Sequence, residues 1–260
     1  MYVTTDDGIR LNIAVDGPED GEPLLFLNSL GCDWSMWDAQ AGQLAGRFRV
    51  IRFDTRGHGA SDAPDGDYTL DRLGRDALAV LDAAGAERAH ICGLSLGGVT
   101  AQWLAIQAPG RVNRLILANT AARVGTAESW QARRDTVSSQ GMTAIADAVI
   151  GRFFQDAFRA AHPATVETFC NTLLRTTPEG YAGCCAALRD ADLGPELGRI
   201  SAPTLVIGGR LDASTPPKQA EALANGIKGA RLIVLDTAHL SNIEQPAAFT
   251  QAVMKHLETA

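Results

Sequence analysis

Ser95 lies in the stretch Gly93-Leu94-Ser95-Leu96-Gly97, a serine between two glycines that follows an apolar run and precedes a helical pattern. Such a pattern arises by chance roughly 0.1 times in a chain of this composition, so its setting matters more than its letters. The run at 89–93 reads as a strand, and Val99, Trp103, Leu104 and Ile106 give the following residues a face to pack on a sheet. Strand, serine turn and helix is the order that lifts a hydroxyl above a sheet and aims a helix N-terminus at the reacting centre. The turn brings its flanks close to other backbone, which predicts that Gly93 and Gly97 must lack a Cβ. The alternative is a glycine-rich turn that serves packing alone.

A serine hydroxyl becomes a useful nucleophile only when a base takes its proton. Five histidines are available. His90 begins the strand that leads to Ser95 and falls at its far end. His162 precedes Pro163, where a surface role is expected, and His256, in the last helical pattern, is expected to be exposed. His58 follows a strand and is expected to fix a loop near the site. His239 follows the apolar run at 231–236, at the carboxyl end of a strand, where open parallel sheets place their chemistry. Its ring needs an acceptor on the other nitrogen. Asp212 follows the run at 204–209 in the same way, although an aspartate there also suits a helix cap. Asp236 is too near His239 in sequence, and Asn119 carries no carboxylate. Ser95, Asp212 and His239 are therefore the expected nucleophile, acid and base.

These residues need a sheet to hold them. Apolar runs bounded by Gly, Pro or Asp at 24–28, 49–53, 89–93, 114–119, 204–209 and 231–236 predict buried strands. Residues 2–5 and 9–15 about Asp7-Gly8 predict a hairpin at the sheet edge. Helical patterns separate most of the strands. At 69–85, Leu70, Leu73, Ala77, Leu78 and Leu81 share one face, and Gly85 ends the helix. The alternation predicts an α/β fold, a mainly parallel eight-stranded sheet with helices on both faces. It breaks once, at 119–195, where helical patterns run without a convincing strand. The expected organisation is a core of 1–120 and 196–260 with 121–195 inserted as a helical cap.

Composition narrows the function classes. A chain of 260 residues with 46% hydrophobic content can bury a large core. The net charge of −7, without long runs of either sign, predicts no nucleic-acid or anionic-membrane partner. No apolar stretch approaches the length of a membrane span, and the start has no signal-peptide pattern. Five cysteines without metal-type spacing predict reduced thiols in the cytoplasm, with Cys184 and Cys185 packed in the cap.

The order of serine turn, acid loop and histidine loop, with the helical insertion, resembles the α/β-hydrolase superfamily over essentially the whole chain. The stretches FLNSLGCDWSMWDAQ, RFDTRGHGASDAP and HICGLSLGGVTAQWLA recur in variant form across that superfamily. NTAARVG and GYAGCCAALRDADL resemble 3-oxoadipate enol-lactonases more narrowly, as does Asn28-Ser29-Leu30-Gly31. Leu211, before the acid, stands where a more polar residue is expected in close relatives. The resemblance implies attack by Ser95 on the ring carbonyl of a carboxylated lactone, with the backbone N–H groups of Leu30 and Leu96 holding the oxyanion. It implies no metal or organic cofactor, and a small-molecule substrate contacted by Ser29, Trp130 and Arg133. With the chain ending at Ala260, the decarboxylase domain fused to some enol-lactonases is not expected. An aspartate nucleophile is excluded by Ser95. A general carboxylesterase, a perhydrolase, a carbon-carbon hydrolase and a ligand receptor on the same scaffold remain as alternatives.

Overall fold

The computed structural model describes residues 1–258. Eight strands, β1 (Tyr2–Thr4), β2 (Arg10–Asp16), β3 (Glu22–Leu27), β4 (Phe48–Phe53), β5 (Ala89–Leu94), β6 (Val112–Ala118), β7 (Thr204–Gly209) and β8 (Arg231–Leu235), form one sheet. Its order is β1-β2-β4-β3-β5-β6-β7-β8. The hairpin of β1 and β2 sits at the edge, β2 joins β4 antiparallel, and all later pairings are parallel. The sheet is the one expected from sequence, and the reason is burial. Strands β5 and β7 are covered along their whole length, so their sequences are continuous apolar runs. At the far edge β8 is only half covered, and Val234 is exposed.

Eleven α-helices accompany the strands among the described residues: α1 (Asp38–Leu44), α2 (Leu70–Ala83), α3 (Leu96–Gln107), α4 (Ala127–Gln140), α5 (Ala146–Phe153), α6 (Asp156–Ala161), α7 (Pro163–Arg175), α8 (Pro178–Asp190), α9 (Pro217–Gly226), α10 (Ser241–Glu244) and α11 (Pro246–Leu257). Thr69 caps α2 by accepting the Arg72 N–H. The buried face of α2 is Leu73, Ala77, Val80 and Leu81, with Leu70 and Leu78 half covered at its margins. Asp76 shares that face because Arg56 crosses to it, Nε to Oδ2 at 2.5 Å. Helices α4 to α8 occupy the whole connection from β6 to β7. They pack on the loops that follow the strands. Gly180 in α8 approaches Gly57, where a Cβ on either would lie 2.3 Å from the other's Cα. Phe153 accepts the Leu240 N–H at 3.0 Å.

Backbone packs closely on backbone between β5, α3 and β3. A Cβ on Gly93 would fall 2.2 Å from the carbonyl oxygen of Gly97, and one on Gly97 would fall 2.2 Å from that of Leu27. Neither neighbour is a movable side chain. Gly97→Ala should therefore cost about 2 kcal/mol or more of stability and lower Tm by about 5 °C or more in thermal unfolding. Gly42→Ala in α1, where a Cβ meets open space, should leave Tm unchanged or raise it. Equal behaviour of the two variants would contradict the packing described.

Candidate active site

Ser95 sits between β5 and α3 with φ of +57° and ψ of −116°, a conformation that side-chain-bearing residues avoid. Its backbone is clamped from both sides. The Ser95 N–H donates to the Ala118 carbonyl at 3.0 Å, and the Thr120 hydroxyl donates to the Ser95 carbonyl at 2.8 Å. Leu96 is the first residue of α3, so no helical carbonyl one turn back receives its N–H. Opposite it runs the loop after β3. There the Gly31 N–H donates to His58 Nε2 at 3.0 Å, the Ser29 N–H to Met36 Sδ at 3.3 Å and the Cys32 N–H to the Ser29 carbonyl at 3.1 Å. The Leu30 N–H is left without an acceptor among the described residues. Gly97 N–H donates to the Asn28 carbonyl at 3.0 Å and fixes the two segments against each other.

His239 is buried beyond β8, and its Nδ1 lies 2.8 Å from Asp212 Oδ2. Donation from Nδ1–H leaves Nε2 as the acceptor for another proton. Asp212 Oδ2 also accepts from Asn119 Nδ2 at 3.0 Å and the Thr215 hydroxyl at 2.7 Å, and Oδ1 accepts from the N–H groups of Ser214 and Thr215. Burial pushes the Asp212 carboxyl pKa up. The charge of His239 and these donors outweigh burial and hold it at about 2. The N-cap of α9 is Pro216, so Asp212 is not the cap of that helix. Asn119, at φ of +43°, also donates to the Ala238 carbonyl at 3.2 Å and accepts from the Ser241 hydroxyl. It ties the acid loop to the histidine loop. The Phe153 ring stacks on His239 with centroids 6.2 Å apart and planes 18° apart.

A cavity of about 330 Å³ opens over these groups, a volume suited to a small molecule. Ser95 and His239 line it, as do Ser29, Leu30, Trp130 and Arg133, so the structure brings these expected site residues to one cavity. Trp130 donates its indole N–H to the Val124 carbonyl at 2.6 Å, and the Arg133 guanidinium lies 4.9 Å over the indole ring. Arg134 turns outward to Asp67 at 2.6 Å.

A family model described as alpha/beta hydrolase fold matches residues 22–246. The chain belongs to the alpha/beta-hydrolase family. It is 45% identical to 3-oxoadipate enol-lactonase 2 of Acinetobacter baylyi over 249 residues, 96% of this chain and 93% of that protein. It is 39% identical to 3-oxoadipate enol-lactonase 1 of the same organism, over 96% and 94% of the two chains. Among solved structures, the enol-lactonase from Burkholderia xenovorans LB400 superposes with a TM-score of 0.98 at 41% identity, covering 100% of both chains. The resemblance read from sequence thus extends along nearly the whole alpha/beta-hydrolase chain.

Among the cavity residues not foreseen are Arg152, Phe153 and Tyr181. Arg152 interrupts the apolar pattern of α5, which is the signal that marks it. The expected exposure of His256 is corrected. It is only 3% exposed, and its Nε2 meets the Pro203 carbonyl at 3.1 Å, a partner far away in sequence. Burial lowers its pKa from 6.5 to about 4, and burial does the same to His58, whose Nδ1 faces the Arg56 carbonyl. A histidine held neutral by the fold takes up its proton more readily when unfolded, so each favours unfolding as pH falls from about 6.5 to about 4. Asp212 acts lower, its contribution being intact above about pH 4 and lost toward pH 2. Thermal unfolding across this range should show Tm falling between pH 6.5 and 4, and His256→Gln should shrink that fall. An unchanged pH dependence in the variant would refute the neutral, buried assignment.

Proposed function

We propose that this chain opens 3-oxoadipate enol-lactone to 3-oxoadipate in the β-ketoadipate route of aromatic catabolism. The observation that carries the reading is the pairing on one cavity of Ser95 and His239 with an arginine laid over an indole, a charged and flat wall for a carboxylated ring. Near-full-length likeness to two enol-lactonases supports it.

Ser95 Oγ attacks the ring carbonyl while His239 Nε2 takes its proton, and Asp212 stabilises the imidazolium. The oxyanion is held by the N–H groups of Leu30 and Leu96, each worth about 3 kcal/mol of barrier. The ring C–O bond breaks, and the enol takes its proton from His239 and tautomerises to the ketone. Water, deprotonated by His239, then attacks the acyl carbon and releases Ser95. Trp130 walls the lactone and Arg133 pairs with its carboxylate, with Ser29 beside them. In this reading residues 121–195 act as the cap that selects substrate over a core of 1–120 and 196–260. The five unpaired thiols support a reducing, cytoplasmic setting.

The direct assay follows loss of the enol-lactone's ultraviolet absorbance beside hydrolysis of a simple aryl ester. The lactone should be preferred, and Ser95→Ala should abolish its turnover with Tm retained. Preference for the aryl ester would demote the chain to a general esterase. Arg133→Ala should raise KM for the lactone by about tenfold or more, with little change for a neutral ester, since the lost pairing involves only a charged substrate. Equal effects on both substrates would remove Arg133 from carboxylate binding.

A further inference from the structure

The cavity over Ser95 carries one more positive charge than the proposed lactone brings negative charge. Arg133 on α4 and Arg152 on α5 both line it, and no carboxylate does. Neither guanidinium forms an ion pair with a described residue, although the chain as a whole has a net charge of −7. Burial lowers the pKa of Arg152 and the charge of Arg133 lowers it further, so the two cations act on each other. Facing like charges cost free energy unless an anion lies between them. The wall beside them holds Tyr181, which is wholly buried and whose hydroxyl faces the Arg133 guanidinium.

Hydrolysis supplies the missing charge. Water adds across the acyl C–O bond, the resulting carboxylic acid loses its proton near neutral pH, and a substrate with one carboxylate becomes a product with two. Arg152 is placed to meet the second. It lines the cavity with Ser95 and His239, and its chain neighbour Phe153 stacks its ring on His239. It also borders the neighbouring surface depression with Gln155, Leu211 and Ala213, on the way to solvent.

Resting on the reading above, we propose that Arg152 forms a second anion subsite, distinct from the one where Arg133 lies against the Tyr181 hydroxyl. It takes the carboxylate that hydrolysis creates, while Arg133 holds the one present from the start. The cavity is then matched to a linear dicarboxylate of about six carbons, and dicarboxylates of that length compete with the substrate.

Calorimetric titration of the intact protein with adipate and with hexanoate tests this, using wild type, Arg152→Gln and Arg152→Lys. Adipate should bind wild type about tenfold more tightly than hexanoate, Arg152→Gln should bring the two within about twofold, and Arg152→Lys should keep part of the preference. Tm should hold in all three, because Arg152 makes no ion pair to lose. A tenfold preference retained in Arg152→Gln, or no preference in wild type, would overturn the subsite. Adipate preference that depends on Arg152 in a protein unable to open the lactone would remove the proposed reaction and leave the subsite standing.

Discussion

Ser95 is held in a left-handed backbone conformation, and the rest of the site depends on that. The strain is of order 1–3 kcal/mol and persists only because surrounding contacts over-determine it. Those contacts are backbone on backbone. Gly93 meets Gly97, and Gly97 meets Leu27, at distances that leave no space for a methyl group. The same packing brings α3 against β3 and lets Gly97 N–H reach the Asn28 carbonyl. The N–H of Leu96 and the loop carrying Leu30 are thereby set in relation to the serine, and His58 holds that loop through the Gly31 N–H.

A second set of constraints fixes charge rather than shape. Asp212 collects five donors, so its carboxylate remains anionic although buried, and an anion there favours the Nδ1–H form of His239. His58 works in the opposite sense. It must accept the Gly31 N–H, which a protonated ring cannot do, and burial keeps it neutral at ordinary pH. One buried group is held charged by its donors and another is held uncharged by burial and by the N–H it accepts, and each state suits the contact it makes.

What could be read in the sequence followed from how local each signal is. The strands were legible because burial on both faces makes them apolar throughout, and Gly93 and Gly97 because a strained turn demands them. His239 and Asp212 were legible by position at strand ends. His256 was misread because the last helix has an amphipathic pattern, while the carbonyl that satisfies its ring belongs to Pro203. Arg152 was missed for a related reason. A single arginine near the end of α5 has the local signature of a solvated residue, and Arg152 is exposed; that it also lines the cavity follows from how α5 packs against the histidine loop. Asn119 was read only as lacking a carboxylate, whereas its amide bridges two loops 93 and 119 residues away.

The helices between β6 and β7 are joined to the catalytic loops more firmly than a detachable lid would be. Glu244 accepts from the backbone and side chain of Gln155, just beyond α5, and also from the Ala238 N–H next to His239. Phe153 both accepts the Leu240 N–H and stacks on the histidine ring. Arg152 precedes that phenylalanine by one residue. The element that carries Arg152 is therefore the element that seats His239, and a shift of α5 moves both. In the proposed reaction, discrimination and proton transfer are coupled through the backbone of one short helix, so substitutions at its buried positions Val149 and Ile150 bear on turnover as well as on affinity.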